Sequence, residues 1–358
     1  MIIGGGIAGC IAAISLAPSY AVTLVDKLAT PKDRIGESLA PAANRILAEL
    51  DLLDGLEKQS GTIFQTNLGM QSYWGSDQVQ IVDHMRNPDG FVKSLNRSAF
   101  EAYLRKTAEE RGVNCLWGTA MQQNTFEDVR WQIQLKSNDE SKPIHQISAQ
   151  YVIDASGRQS RFARSLGIKR HIEDQLMACW LTLPNTQANT MSTISASENG
   201  WWYSAVVPNN QRVIAYHTDS DLIDKAEFKT LGSFLKLAEG NQQISELLKG
   251  NEYNAEFHGT VAANSTKLLQ SAGPNWAAIG DAALSFDPLS SQGMFNAMAS
   301  AMQLSASIRQ YGLTADLSAT HHYQMEQIWV HYLKHKHLFY RGEGRWRESE
   351  FWGRRGFQ

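Results

Sequence analysis

The chain has 358 residues, 43% hydrophobic and 19% charged, with a formal net charge of −3. That is apolar material for about two domains of ~150 residues each and excludes a disordered chain. The small net charge supplies no electrostatic reason to bind nucleic acid or an anionic membrane. Three scattered cysteines, Cys10, Cys115 and Cys179, form neither a CxxC pair nor a disulfide framework, so a reducing, cytoplasmic setting is expected.

In chain order, the apolar opening Met1–Ala17 is not led by a basic residue and is shorter than the ~20 residues of a membrane span. It reads as a buried strand, a glycine turn and a helix. Gly4, Gly6 and Gly9 spell GxGxxG: the first permits a tight turn, the second lets backbone approach a pyrophosphate, and the third lets helix pack on strand. Free N–H groups at the helix start then face the phosphate. Val22–Asp26 follows as a strand. Asp26 ends it where an acid binds an adenosine ribose hydroxyl.

Ser98–Gly112 reads as a helix with Phe100, Tyr103, Leu104 and Thr107 on one face. Thr119–Gln150 alternates through Trp131, Ile133 and Leu135, with Ser-Asn-Asp-Glu-Ser as its turn, and Gln175–Thr218 alternates again. Between them, Gln150–Gly167 reads as a strand ending in Asp154-Ala155-Ser156-Gly157. Trp276–Gln310 reads as a strand, the turn Gly280-Asp281, and a long small-residue helix. The tail, Thr320–Gln358, begins as an amphipathic helix with Met325, Ile328, Trp329, Tyr332 and Phe339 as its stripe. His331 and His335 share a face there without an acidic or thiolate partner, and read as a surface cluster rather than a metal site. Cys10 and Cys179 read as buried structural thiols, although Cys179 could line a substrate face.

A helix beginning near Met294 would aim its positive end at a neighbouring anion, and Gly293 would allow close backbone approach. Trp201 and Tyr203 share one face of their strand, open to core packing or to stacking on an aromatic substrate. Asp287 reads as a loop cap or an acid, and no general base stands out.

In this order GxGxxG, Asp154–Ser160 and Ala278–Ala283 resemble the group A flavoprotein monooxygenases and the related flavin-dependent tryptophan halogenases. The resemblance implies FAD as cofactor and an α/β fold: a Rossmann-like FAD-binding domain of the p-hydroxybenzoate hydroxylase type, an inserted β-sheet substrate domain and a helical tail. The expected partition is 1–74, 97–170 and 268–310 for FAD, 75–96 and 171–267 for substrate, and 311–358 for the tail. It implies that Asp281 holds the ribityl chain and that Arg97 opens a helix beside the cofactor. Arg34–Pro41 resembles the halogenase Gly-Glu-Ser loop, with Glu37 and Ser38, and Asp287–Met294 resembles the loop over the flavin, with Pro288, Gln292, Gly293 and Met294. Asn199–Tyr203 resembles the Gly-Trp-x-Trp segment.

The halogenases place a relay lysine in the strand after the Gly-Glu-Ser loop. The matching stretch here, Gly61–Met70, has none, and Lys58 comes too early. The loop Asp287–Met294 and the aromatic, basic tail from Phe339 to Trp352 resemble the LodB-like flavoproteins of tryptophylquinone maturation. That likeness implies hydroxylation, through a flavin C4a-hydroperoxide formed with oxygen, of a tryptophan in a partner protein. NAD(P)H or a flavin reductase would supply electrons. Three alternatives stay open: a halogenase with another relay, an FAD-dependent ene-reductase, and a flavoprotein maturation chaperone without turnover.

Overall fold

The computed structural model describes all residues except 85–86, 140, 142–144, 224–227 and 357–358. Glu140 of the expected turn and Gln358 at the end of the tail therefore lie outside the described residues. A six-stranded sheet is ordered Ala272–Gly273, Trp276–Ala278, Val152–Asp154, Ile2–Ile3, Thr23–Asp26, Asn114–Trp117. All its neighbours are parallel except the first pair. Parallel strands this short are stable because both faces are covered. The helices Ile7–Leu16 and Gly293–Tyr311 pack on one side in the largest apolar core, and the three-stranded meander Thr119–Glu127, Arg130–Ser137, His145–Ala149 packs on the other. The meander has a tight turn that the sequence hid. Asp128 and Val129 both take positive φ (49° and 58°), without the glycine or asparagine that usually marks such a turn.

The second layer is a seven-stranded sheet ordered Glu256–Ala262, Leu176–Pro184, Gln211–Asp219, Gly200–Val207, Ser192–Ser197, Gly69–Tyr73, Gln80–Asp83. The strand Gly69–Tyr73, grouped above with the cofactor segments, hydrogen-bonds in this sheet, parallel to Ser192–Ser197. Period-two alternation divides its side chains. Cys179, Leu181, Trp202, Ile214 and Tyr216 face the helices Leu231–Glu239 and Gln242–Leu248. Ala178, Ile194 and Trp201 face the tail residues Tyr340, Phe351 and Trp352. Farther along that second face, Trp180, Val207, Val213 and Ala215 meet Ile35. A three-stranded antiparallel sheet, Ser38–Leu39, Val92–Leu95, Phe64–Asn67, sits between the layers.

The helix Arg97–Glu110 starts at Asn96, whose side chain accepts from the Ala99 N–H. Its buried stripe is Phe100, Glu101, Leu104, Arg105 and Ala108; Tyr103 and Thr107 lie at the margin. The stripe is turned toward two charged residues because both have partners inside, as the site geometry below describes.

The tail helix Ala315–Arg341 buries Met325, Trp329, Tyr332, Lys336 and Tyr340, while Phe339 is 56% exposed. Helical spacing from Tyr332 falls on Lys336 and Tyr340, so a lysine and a tyrosine occupy the places where apolar residues were sought. Lys336 pairs with Asp174 and donates to Ser265 Oγ at 3.1 Å. Burial pushes the Asp174 carboxyl up, but the Lys336 charge and hydrogen bonds from Lys336 and Ser265 outweigh it and hold its pKa below the usual value. A carboxylate with a depressed folded pKa stabilises above its unfolded pKa, and that stabilisation is lost as pH falls through the folded one. Replacing Lys336 with Met should therefore cost about 3 kcal/mol at neutral pH by stranding a buried carboxylate. Denaturant unfolding should show the deficit shrinking on acidification, as Asp174 protonates in the variant.

Candidate active site

Three strand ends deliver three turns to one place. Ile3 lies beside Asp154, and Asp154 beside Ala278, so Gly4, Ala155 and Ile279 leave the sheet together at its carboxyl edge. That edge is where parallel α/β sheets bind ligands. Gly4 has φ +111°, and a Cβ there would stand 2.3 Å from the Ala155 carbonyl oxygen. A Cβ on Gly9 would stand 1.8 Å from the Gly4 oxygen, and one on Gly280 (φ +56°) 2.9 Å from Ala8 Cβ. Gly6, by contrast, meets nothing within 4 Å, and neither does Gly293. The first, third and Gly280 glycines are thus required by the protein's own packing, whereas Gly6 and Gly293 border open space.

Asp26 is held rather than free. Its Oδ2 accepts from the Gly5 N–H at 2.6 Å and its Oδ1 from the Leu28 N–H at 2.7 Å. Arg105, which the sequence reading did not single out, pairs with it at 3.3 Å. Arg105 also donates to the Gly5 carbonyl at 2.9 Å and lies 4.4 Å over the Trp117 ring. Its signal was a basic residue on the apolar stripe of a helix. Asp154 is fully buried, with Oδ1 accepting from Ser156 and Oδ2 from the Ala163 N–H at 2.9 Å, so it caps its own turn. Asp281 stays 41% exposed with Arg158 Nε 3.8 Å away. Arg158 is anchored on the Asn264 carbonyl at 2.6 Å.

Arg97 donates to the Gly36 carbonyl at 2.6 Å and to Glu101 at 3.0 Å, and Arg34 pairs with the same glutamate at 3.4 Å. The arginine thus sets the Gly-Glu-Ser loop against the helix start. Gly36 takes φ +100°, which a non-glycine residue rarely adopts. Glu37 is buried, with Oε2 accepting from the Gly36 N–H at 3.0 Å. Burial raises its pKa, and burial with the neighbouring Glu37 carboxyl pushes the Tyr203 phenol well up. Tyr203 also neighbours Ser38, so this half-buried residue in the middle of its strand faces the loop. Trp201, on the same strand face, is 1% exposed and stacks on His217 at 3.7 Å with rings 5° apart. The expected substrate-stacking role for Trp201 is closed here, since His217 occupies its ring face and the tail covers the rest. Burial lowers the His217 pKa to about 3, keeping the imidazole neutral.

Asp287 is the cap of the second loop. Its Oδ1 accepts from the Leu289 N–H at 2.9 Å and its Oδ2 from the Tyr340 hydroxyl at 2.8 Å. Its own N–H donates to the Tyr332 hydroxyl at 2.9 Å. Pro288–Ser290 forms a single 3-10 turn, Ser291 takes φ +50°, Gln292 caps the helix Gly293–Tyr311, and Met294 is buried in its first turn. The two tyrosines come from the tail, far away in sequence. Cys10 is buried against the Gly5 carbonyl, and burial drives its thiol pKa far up. Cys179 lies in the core under the two covering helices, its thiol pushed up to about 12 by burial.

The residues present fit FAD. Open space lies beside Gly6 and Gly293, where backbone can approach a ligand, and the buried Arg97 Nε has no hydrogen-bond partner among the described residues. No helix among the described residues is long and apolar enough to cross a membrane.

Comparison with known proteins agrees. Residues 1–326 match the model of the FAD binding domain family. The chain is 29% identical to LodB of Marinomonas mediterranea, named as an FAD-dependent oxidoreductase, over 99% of this chain and 96% of that protein. It is 26% identical to the tryptophan 2-halogenase of Chondromyces crocatus over 90% of this chain, but spans only 64% of the halogenase. Among solved structures, the myxobacterial chondrochloren halogenase CndH superposes with a TM-score of 0.88 at 20% identity, covering all of this chain and 85% of that one. The peptidyl tryptophan dihydroxylase QhpG, essential for tryptophylquinone cofactor biogenesis, superposes with a TM-score of 0.78 at 21% identity, covering all of this chain and 79% of that one. At such identities these two show a shared fold. The chain belongs to the FAD binding domain family, is an FAD-dependent oxidoreductase, and has the fold of the halogenase and hydroxylase structures.

Proposed function

We propose that the protein is an FAD-dependent monooxygenase that hydroxylates an electron-rich aromatic ring, a tryptophan side chain carried by a partner protein during quinone cofactor maturation. The observation that carries the choice of hydroxylation over halogenation is that the successive strands Phe64–Asn67 and Gly69–Tyr73 hold no lysine. The nearest strand lysine, Lys93, is buried and engaged by Asn44 at 2.9 Å and Glu57 at 3.0 Å. QhpG, whose name states peptidyl tryptophan dihydroxylation, supplies the substrate class by likeness.

Bound FAD, once reduced, supplies the oxygen-activating chemistry, with electrons from NAD(P)H or a partner reductase and oxygen as co-substrate. The chain binds, orients and excludes water. In this reading Gly6 admits the pyrophosphate at the turn that Gly4 and Gly9 shape, Asp26 takes the ribose and Asp281 the ribityl chain. The loop with Glu37 and Ser38, positioned by Arg97, and the loop Pro288, Gln292, Gly293 and Met294 take the ring. The start of the helix Gly293–Tyr311 would offer the positive end of its dipole to the reduced ring. Tyr203 borders the substrate space, and the segments 1–74, less the strand Gly69–Tyr73 that joins the seven-stranded sheet, 97–170 and 268–310 act as the cofactor unit.

The two glycines separate cofactor binding from folding. Gly6→Ala should keep the thermal stability of the apoprotein and weaken FAD binding roughly tenfold, ~1.4 kcal/mol. Gly9→Ala should destabilise the apoprotein itself by about 2 kcal/mol through overpacking. Equal melting losses in both would remove the assignment of Gly6 to the phosphate. Asp281→Ala should yield protein without bound flavin absorbance after purification, and full retention of FAD would overturn its ribityl role.

The reaction class is tested by rapid mixing of anaerobically reduced, FAD-loaded protein with oxygen. A transient absorbance blue-shifted from oxidised flavin, decaying at the same rate with and without bromide, is expected. Faster decay with bromide would favour halogenation.

A further inference from the structure

The seven-stranded sheet ends on one side in Gln80–Asp83. Among the described residues this strand pairs only with Gly69–Tyr73, antiparallel and in unbroken register. The register shows which backbone groups point outward. The His84 N–H donates to the Leu68 carbonyl at 3.0 Å, so these two residues form a hydrogen-bonded pair. Such pairs alternate with non-bonded ones along an antiparallel ladder. Val82 and Gln80 therefore turn their N–H and C=O groups toward Gly69–Tyr73, whereas Asp83 and Ile81 turn theirs away from it.

Edge strands are usually guarded by charges, a proline or a bulge. The opposite edge, Glu256–Ala262, is guarded in this way: its register against Leu176–Pro184 shifts beside Gly259, which takes φ +79°. The edge Gln80–Asp83 has no bulge and no proline, and Asp83 at its end is its only charged residue. Val79, Ile81 and Val82 are 45%, 54% and 43% exposed. An unpaired backbone row among exposed β-branched side chains is complementary to an extended polypeptide. The edge also belongs to the sheet that carries Tyr203. Cross-strand neighbours run Gln80, Ser72, Ile194, Tyr203 on one face. With strands ~4.8 Å apart, a strand added outside Gln80–Asp83 would lie about 19 Å from Tyr203, a span that about six extended residues cover at ~3.3 Å each.

We propose that Gln80–Asp83 docks an extended segment of the partner polypeptide as an eighth strand, with the tryptophan to be oxidised at least about six residues away from it. This rests on the reading that the substrate is a tryptophan in a partner protein. A second copy of the chain fits less well. Pairing two such edges, each of 4 residues, would bury only a few hundred Å², on the order of a quarter of a standard interface of ~1,600 Å². A substrate polypeptide has a second attachment, its tryptophan in the site, and the two contacts reinforce each other through effective concentration.

Binding is tested with FAD-loaded protein and a fluorescent peptide of alternating threonine and valine, ended by lysines, followed by anisotropy. Ile81→Pro removes an outward N–H and no bond of the existing ladder. Its melting temperature and FAD content should hold, while its affinity for the peptide falls roughly tenfold or more against wild type. Ile81→Thr keeps the N–H and should bind within about twofold of wild type. Equal affinity in Ile81→Pro, no binding to wild type, or a wild-type dimer in sedimentation that Ile81→Pro dissolves, would each overturn the proposal. The reaction is read separately, by mass spectrometry after the reduced, FAD-loaded protein meets oxygen. The same peptide, extended through about six glycine and serine residues to a tryptophan, should gain oxygen several-fold faster than the spacer and tryptophan alone. Ile81→Pro should erase that difference without slowing the shorter peptide. Equal rates for the two peptides on wild type would sink the docking edge and leave hydroxylation standing. Peptide binding that Ile81→Pro abolishes, with neither tryptophan oxidised, would sink hydroxylation and leave the docking edge standing.

Discussion

The cofactor end of the molecule depends on backbone meeting backbone with no side chain between. Gly4 lies against Ala155, Gly9 against Gly4, and Gly280 against Ala8, each at a separation that a Cβ would violate. Close packing of this kind leaves little slack, because a single methylene forces neighbours off their minima. It brings strand ends at positions 3, 154 and 278 to a common edge, although over a hundred residues separate each from the next. The polar groups that serve the turns are then satisfied internally: Asp26 and Arg105 bind the Gly5 peptide from its two sides, and Asp154 caps its own turn. Positions that meet open space rather than protein, Gly6 above all, stand out against this background.

The tail completes the second half of the site. Asp287 is buried, and a buried carboxylate with unfilled acceptors would be costly. Its bonds come from Leu289 in its own loop and Tyr340 in the tail, while Tyr332 takes its backbone N–H. Lys336, one turn from each tyrosine, binds Asp174 and Ser265 and so ties the helix to the seven-stranded sheet at Leu176, whose N–H Asp174 accepts at 3.1 Å. Loop, tail and sheet therefore share one hydrogen-bond network. Removing the tail would leave the Asp287 loop without two of its partners, and the sheet face carrying Trp201 uncovered.

Much of this was legible in the sequence. The glycine spacing, the Asp154 and Gly280 turns, the alternating strands and the helix after Gly293 are local signals, written in residues close together in the chain. Proximity in sequence suffices for them, because turn geometry and side-chain period act over a few residues. They carried the family resemblance, which in turn implied the fold and FAD. Where the local signal was weak, the reading slipped. The Asp128–Val129 turn carries no glycine, the helix from Arg97 buries Glu101 and Arg105 rather than Tyr103 and Thr107, and the tail buries Lys336 and Tyr340 rather than Phe339.

Those slips share one cause. Periodicity says that a helix has a buried face, but charged residues join that face only where a distant partner satisfies them. Arg105 has the Gly5 peptide, Glu101 has Arg34 and Arg97, and Lys336 has Asp174. Composition cannot name a partner 100 or 162 residues away. Likewise Trp201 and Tyr203 were equivalent on their strand, and only the arrival of His217 and the tail made one of them core while the other stayed open to the Glu37 loop. The sequence by itself determined the nucleotide-binding turns, the alternation of the sheets and the cofactor. The tertiary structure decided which polar side chains are buried and what each one holds, because that depends on pairings between segments that no local pattern encodes.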